Sequence, residues 1–108
     1  MKLWTKKLEE RAKNFPLYSQ EGKGQDATVL VKFFNPYGSG TWIITEAQKQ
    51  KDGDWLFFGY FQGLDNEWGY CLLSDLENVE IPIGGHRFKL ERDLHVPGDA
   101  TVADLLKK

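Results

Sequence analysis

Apolar and polar residues alternate with a period of two through the middle of this chain and follow a helical spacing at its two ends. Across residues 3–14, Leu3, Trp4, Leu8 and Ala12 line one side of a helix, with Lys and Glu elsewhere. Thr5 is the expected N-cap, Glu9 and Glu10 fall in the early turns, and Pro16 forbids continuation past Phe15. Ser19 to Asp26 is polar and carries glycine, which predicts a loop. Ala27 to Phe34 alternates as a strand, with Val29, Val31 and Phe33 on one face and Thr28, Leu30, Lys32 and Phe34 on the other. Asn35 to Gly40 has turn composition. Thr41 to Glu46 is the second strand, with Trp42 and Ile44 opposite Thr41, Ile43 and Thr45. Residues 47–53 form a polar connection ending in the Asp52-Gly53 turn signal. Asp54 to Gly63 is apolar on both faces, Trp55, Phe57 and Phe61 against Leu56, Phe58 and Tyr60, the pattern of a central strand covered on both sides. Leu64 to Asn66 turns the chain, and Glu67 to Leu73 returns as the fourth strand.

The remainder is shorter-ranged. Ser74 and Glu77 have the spacing of a capping box, which predicts a helical turn to about Val79. Ile81 to Gly85 is an expected loop, His86 to Leu94 an edge strand with Phe88 and Leu90 inward, and Thr101 to Leu106 a short helix with Thr101 as N-cap. This order predicts an α+β fold: a curved antiparallel meander of about five strands, an N-terminal helix and short C-terminal helical segments, in one domain over residues 1–108. Seven rings fall between Trp55 and Tyr70, a stretch that reads as a buried hairpin at the centre of the fold. Each buried ring contributes roughly 4–6 kcal/mol gross before entropy is subtracted. A core therefore forms without disulfide or metal, and Cys71, the only cysteine, excludes an intrachain disulfide and suits a reducing compartment. The first residues lack the apolar stretch of a signal peptide and no apolar run is long enough to span a bilayer, so the expectation is a soluble, cytoplasmic protein. The net charge of −2 gives no general attraction to nucleic acid or anionic lipid.

Few residues point to chemistry. Glu91 and Asp93 alternate onto one face of the last strand and Arg92 onto the other, while Glu46 ends the second strand and Glu67 begins the fourth. If those strand ends converge, their carboxylates could hold a hard cation or perform acid–base work. The simpler reading is a solvated edge whose charges discourage sheet-to-sheet aggregation. The only histidines, His86 and His95, lie nine positions apart without the close pairing of a zinc site. Cys71 has apolar neighbours and Ser19 and Ser39 lack a nucleophile-elbow context, so no nucleophile stands out. The run Phe57-Phe58-Gly59-Tyr60-Phe61 has the look of an RNA-binding strand, but Asp54 and Gln62 flank it where basic residues are required. Gly22-Lys23-Gly24 lacks the spacing of a phosphate loop, and Tyr37 presents one aromatic ring on a turn where a partner could touch it.

Several short motifs occur in a fixed order: Leu17-Tyr18-Ser19-Gln20-Glu21, Val31-Lys32-Phe33-Phe34, Thr41-Trp42, Thr45-Glu46, Phe57-Phe58-Gly59-Tyr60, Glu67-Trp68-Gly69-Tyr70, Leu73-Ser74-Asp75-Leu76 and Glu91-Arg92-Asp93-Leu94. The set, spread over roughly residues 1–96, resembles the family known as domain of unknown function 2958. Ile43 stands where that pattern expects a second aromatic, and Trp68 where it expects an aliphatic residue. The resemblance implies a short bacterial protein of plasmids, conjugative elements or phages, and brings no established activity. It also directs attention to the polar members of the motifs. Tyr18, Gln20, Tyr37, Glu46, Glu67, Glu91, Arg92 and Asp93 are accordingly the candidate binding residues; no catalytic residue, metal ligand or cofactor is assigned. The expected function is a small non-catalytic accessory protein of a mobile element that binds another protein, with inhibition of a host defence system as an analogy. A metal-assisted hydrolase using Glu46, Glu67, Glu91 and Asp93 is the first alternative, and a nucleic-acid-binding module the second.

Overall fold

The computed structural model describes residues 1–107. Its centre is a five-stranded antiparallel sheet in the order β4-β3-β2-β1-β7, formed by β1 (Val31–Phe34), β2 (Thr41–Lys49), β3 (Trp55–Gln62), β4 (Asn66–Leu72) and β7 (Glu91–Arg92). The first four strands are a meander with neighbours paired in sequence, and β7 returns to the free side of β1. With helix α1 (Lys6–Ala12), α2 (Leu73–Glu77) and α3 (Val102–Leu106), this is the expected α+β architecture.

One face of the sheet carries the larger core. Phe33, Ile44, Ala47 and Phe57 point into it and meet Leu3, Trp4, Ala12, Leu76 and Leu90. Trp4 packs its ring 5.1 Å from that of Trp55 and 5.0 Å from that of Phe57. The N-terminal helix is shorter than the predicted 3–14 because Thr5 caps it: its side-chain oxygen accepts the Leu8 N–H at 3.2 Å. Leu3 and Trp4 therefore precede the helix and fill the core from a bend that leads into it.

The second strand departs most from strict alternation. Ile44 pairs with Gly59, but Glu46 pairs with Phe58, so Thr45 is an extra residue on β2. Without that bulge Glu46 would follow Trp42 and Ile44 into the apolar core, where an isolated carboxylate costs several kcal/mol. With it, Ala47 takes the core position and Glu46 turns to the opposite face. The strand also runs on to Lys49, so residues 47–49 belong to the sheet rather than to the predicted polar connection, and Glu46 is mid-strand rather than at a strand end.

The opposite face has less to cover it. Val29, Ile43 and Val102 form a small fully buried cluster, with Tyr60, Val96, Leu105 and Leu106 around it. The capping box expected of Thr101 holds α3 in register: Asp104 donates its N–H to Thr101 at 3.2 Å and accepts the Thr101 N–H at 2.9 Å. The Val29 N–H to Ala100 and Val102 N–H to Ala27 bonds, 2.8 and 3.0 Å, tie this helix to the chain before β1. Val29 thus serves the second cluster while Val31 and Phe33 serve the first, and the regular strand begins at Val31 rather than Ala27. A five-residue helix spans only about 7 Å. It covers the Ile43 end of this face and leaves the rest open, so β3 is not covered on both sides. The ring-rich hairpin is accordingly not wholly interior: Phe57 is fully buried, but Trp68 is 36% and Tyr70 51% exposed on the edge strand β4.

The C-terminal third differs in detail. Ile81–Ile83 (β5) and His86–Phe88 (β6) pair as a separate hairpin through Gly84 and Gly85, both at positive φ (58° and 84°) as a two-residue turn of this kind requires. The predicted loop at 81–85 and long strand at 86–94 are therefore replaced by this hairpin and the two-residue β7. Ser74 does not cap α2. Its hydroxyl donates instead to Asp54 at 2.5 Å, and the N-cap position falls to Leu72. That bond is the largest cause holding the Asp54 carboxyl below its ordinary value of 3.8, against desolvation and with help from the Trp55 and Ser74 N–H groups. A depressed carboxyl contributes stability above its unfolded pKa and loses it as pH falls. Ser74→Ala is thus expected to cost on the order of 1 kcal/mol at neutral pH. The difference from wild type should shrink in urea unfolding series taken progressively below pH 3.8.

Candidate functional site

The open part of the second sheet face is concave. A cavity of about 410 Å³ lies between that face and the loop leading to β1, lined by Tyr18, Gln20, Glu46, Phe58, Trp68 and Tyr70 among others. The aromatic wall follows from register. Phe58 lies opposite Tyr70 and Tyr60 opposite Trp68, so all four rings share one face. Phe58 and Trp68 stack at 5.8 Å with 20° between planes, and Phe58 meets Tyr70 at 4.9 Å and Tyr60 meets Trp68 at 5.2 Å in tilted contacts.

The loop is held by two buried polar side chains. Glu46, 3% exposed, accepts the Tyr18 N–H at 2.8 Å on one carboxylate oxygen and the Gln20 N–H at 2.9 Å on the other. Tyr18 sits at φ 71°, a left-handed conformation that costs an L-residue roughly 1–2 kcal/mol. That conformation brings the two N–H groups round to one point, as in backbone anion nests, and the Glu46 carboxylate occupies it. Gln20, 6% exposed, donates to the carbonyls of Thr28 and Thr45, both at 2.8 Å, and accepts the Thr28 N–H at 2.6 Å. The loop residues 18–28 are thereby fastened to β2 by side chains whose hydrogen-bonding atoms are aimed inward.

The electrostatics are one-sided. Among the described residues the lining includes Glu46 and Glu21 and no basic residue. Among the described residues no ion pair involves Glu46. Each Glu46 oxygen takes one protein hydrogen bond and keeps a further acceptor direction. The Tyr70 phenol is pushed above its ordinary value of 10.0: first because water is lost on the side turned to the sheet, then by Tyr18, and then by the charges of Glu46 and Glu21.

Of the residues singled out in the sequence, Tyr18, Gln20 and Glu46 come together here. The others do not join them. Glu67 is exposed on β4 across from Phe61. Glu91 pairs with Phe34 at the far edge of the sheet. Arg92 donates to the carbonyls of Lys2 and Leu3, and Asp93 pairs with Lys32 at 3.6 Å while accepting the His95 N–H at 2.8 Å. Tyr37 packs its ring 4.6 Å from Phe88 against the β5–β6 hairpin. The four carboxylates proposed for a metal-assisted hydrolase share no cleft, and among the described residues no group of three potential ligands is placed to hold a metal ion. Phe58, Trp68, Tyr70 and Glu21 are the site residues that pattern reasoning missed, because the rings read as core. The signal for them was available: β4 begins Asn66-Glu67, as an exposed strand does, and the helical segments predicted after it are too short to cover a whole sheet face.

Cys71 faces the larger core and is partly buried against it. Burial, reinforced by the charge of Asp75, pushes its thiol up to about 12. The folded protein should therefore react with a thiol reagent at pH 8 at least about a hundredfold more slowly than the urea-unfolded chain. Equal rates, followed by absorbance with an aromatic disulfide, would show the thiolate to be accessible.

Among the described residues, no helix is long and apolar enough to cross a membrane. In comparisons with known proteins, the family model described as "Protein of unknown function (DUF2958)" matches residues 3–108. No curated protein and no solved structure matches the chain.

Proposed function

The chain belongs to the DUF2958 family, and on that footing we propose that it is a small non-catalytic binding protein whose partner, another protein, docks on the aromatic concavity at the open sheet face. The observation that carries this reading is the exposure of three rings, Tyr18 at 65%, Tyr70 at 51% and Trp68 at 36%, around one ready-made cavity. Tyrosine and tryptophan supply large, stiff contact area and dominate the energetics of protein interfaces. Two of the three sit on hydrogen-bonded strand and the third on a loop anchored by Glu46, so little ordering is needed on binding. The paired carboxylates and the acidic chain oppose a phosphate backbone, which disfavours the nucleic-acid reading. The cytoplasmic setting expected from the sequence and the mobile-element setting implied by the family resemblance, with a host defence protein as the partner, belong to the same proposal.

The test uses the full chain as tagged bait in a bacterial host, beside a Trp68→Ala/Tyr70→Ala double variant whose folding is checked by thermal melting. Wild type is expected to retain one protein in stoichiometric amount, and the variant at least about tenfold less. Equal retention by both baits, or no stoichiometric partner, would overturn the reading.

A further inference from the structure

We propose, building on the docking site just described, that the cavity receives a basic side chain of the partner, an arginine or lysine, between the rings and the Glu46 and Glu21 carboxylates. The argument is charge complementarity in a confined place. Glu46 is 3% exposed, and among the described residues its carboxylate accepts two backbone N–H groups and joins no ion pair. Buried charges are ordinarily paired, and the acceptor directions that Glu46 keeps leave a cation a place to pair with it. Phe58, Trp68, Tyr70 and Tyr18 supply the remaining wall, and the faces of aromatic rings attract a cation that leaves water. The cavity, about 410 Å³, lies at the small end of ligand pockets, roughly 300–1,000 Å³, which suits one side chain rather than a folded element. A guanidinium matches both features at once, stacking flat on a ring and reaching both carboxylate oxygens with its fork of donors.

The experiment follows ¹⁵N-labelled protein by NMR during titration with butylguanidinium, butylammonium and the neutral isostere butylurea. The two cations are expected to shift the Trp68 indole N–H and the Tyr18 and Gln20 amides, saturating in the millimolar range at least about tenfold below butylurea. Because replacing Glu46 disturbs the loop itself, the variants are Glu21→Gln and Trp68→Ala, each expected to weaken the cations about threefold or more without unfolding. Butylurea binding as tightly as the cations, cation affinities unaltered in both variants, or no shift at these positions would overturn the inference. A positive titration with failed partner capture counts against the protein-docking reading alone. Ring-dependent capture with no response to either cation counts against the basic side chain alone.

Discussion

Gly59→Ala is expected to leave the protein largely unfolded at 25 °C. A Cβ built at Gly59 would lie 2.1 Å from the Ile43 carbonyl oxygen and 2.9 Å from both the Ile43 carbonyl carbon and the Ile44 Cα. These are backbone atoms of the neighbouring strand, with no flexible side-chain end to swing away. They lie beside the Thr45 bulge, where β2 crowds β3. Relief would require separating two central strands or undoing the bulge, and undoing the bulge would drive Glu46 into the apolar core. We expect a cost above about 4 kcal/mol, a large share of the roughly 5–15 kcal/mol by which domains are stable. Gly69, the cross-strand partner of Gly59, is the internal control, because a Cβ there meets nothing closer than the Phe61 ring at 3.5 Å. Urea unfolding monitored by far-ultraviolet circular dichroism should show Gly69→Ala near wild type and Gly59→Ala without a native baseline. Coincident midpoints for the two variants would contradict the crowding at Gly59.

The second large effect is expected from Glu46→Ala. The change removes the acceptor of the Tyr18 and Gln20 N–H groups and leaves both donors without a protein partner. Buried donors left unpaired cost about 1–3 kcal/mol each, and the left-handed Tyr18 loses the contact that offsets its strain. The net loss should be about 3 kcal/mol, with the loop detaching while the sheet survives. Hydrogen exchange separates these outcomes. The Tyr18 and Gln20 amides should lose about a hundredfold of protection, whereas amides of β3 should change only with global stability. Unchanged exchange at Tyr18 and Gln20 would mean that something other than Glu46 fastens the loop. Glu46→Gln should fall between, since its amide oxygen can replace only one of the two acceptors.

Much of the fold is legible in the sequence because local and tertiary preferences agree there. The alternation around Phe33, Trp42 and Phe57 marks three strands of the meander, and Thr5 and Thr101 cap helices as their spacing suggests. What local pattern misses are choices made by distant atoms. Ser74 has the spacing of a cap, yet its hydroxyl is taken by Asp54, twenty positions away. Glu46 reads as a strand end because Gln48 and Lys49 are polar. Only the Gly59 crowding and the Thr45 bulge explain why it sits mid-strand and turned from the core. Phe58, Trp68 and Tyr70 read as interior because apolar alternation shows which way a side chain points, not whether another element arrives to cover it. Tyr18 and Gln20 stand together as polar members of one motif, but their roles differ: Tyr18 lines the cavity with an exposed ring, and Gln20 fastens the loop.

Arg92 holds the carbonyls of Lys2 and Leu3, Arg11 donates to those of Val29 and Gly98, and Thr28 bridges to Thr101. Residues 2–28 and residues 92–101 are thus stitched to each other, and β1 has no outer neighbour until β7 arrives. A nascent chain on the ribosome must therefore wait, with one flank of its sheet raw, until residues 91–102 have left the exit tunnel. Stalled or clipped products lacking them would present that flank to one another, so a chain cut after Leu90 is expected to aggregate at concentrations where the longer chain stays dispersed.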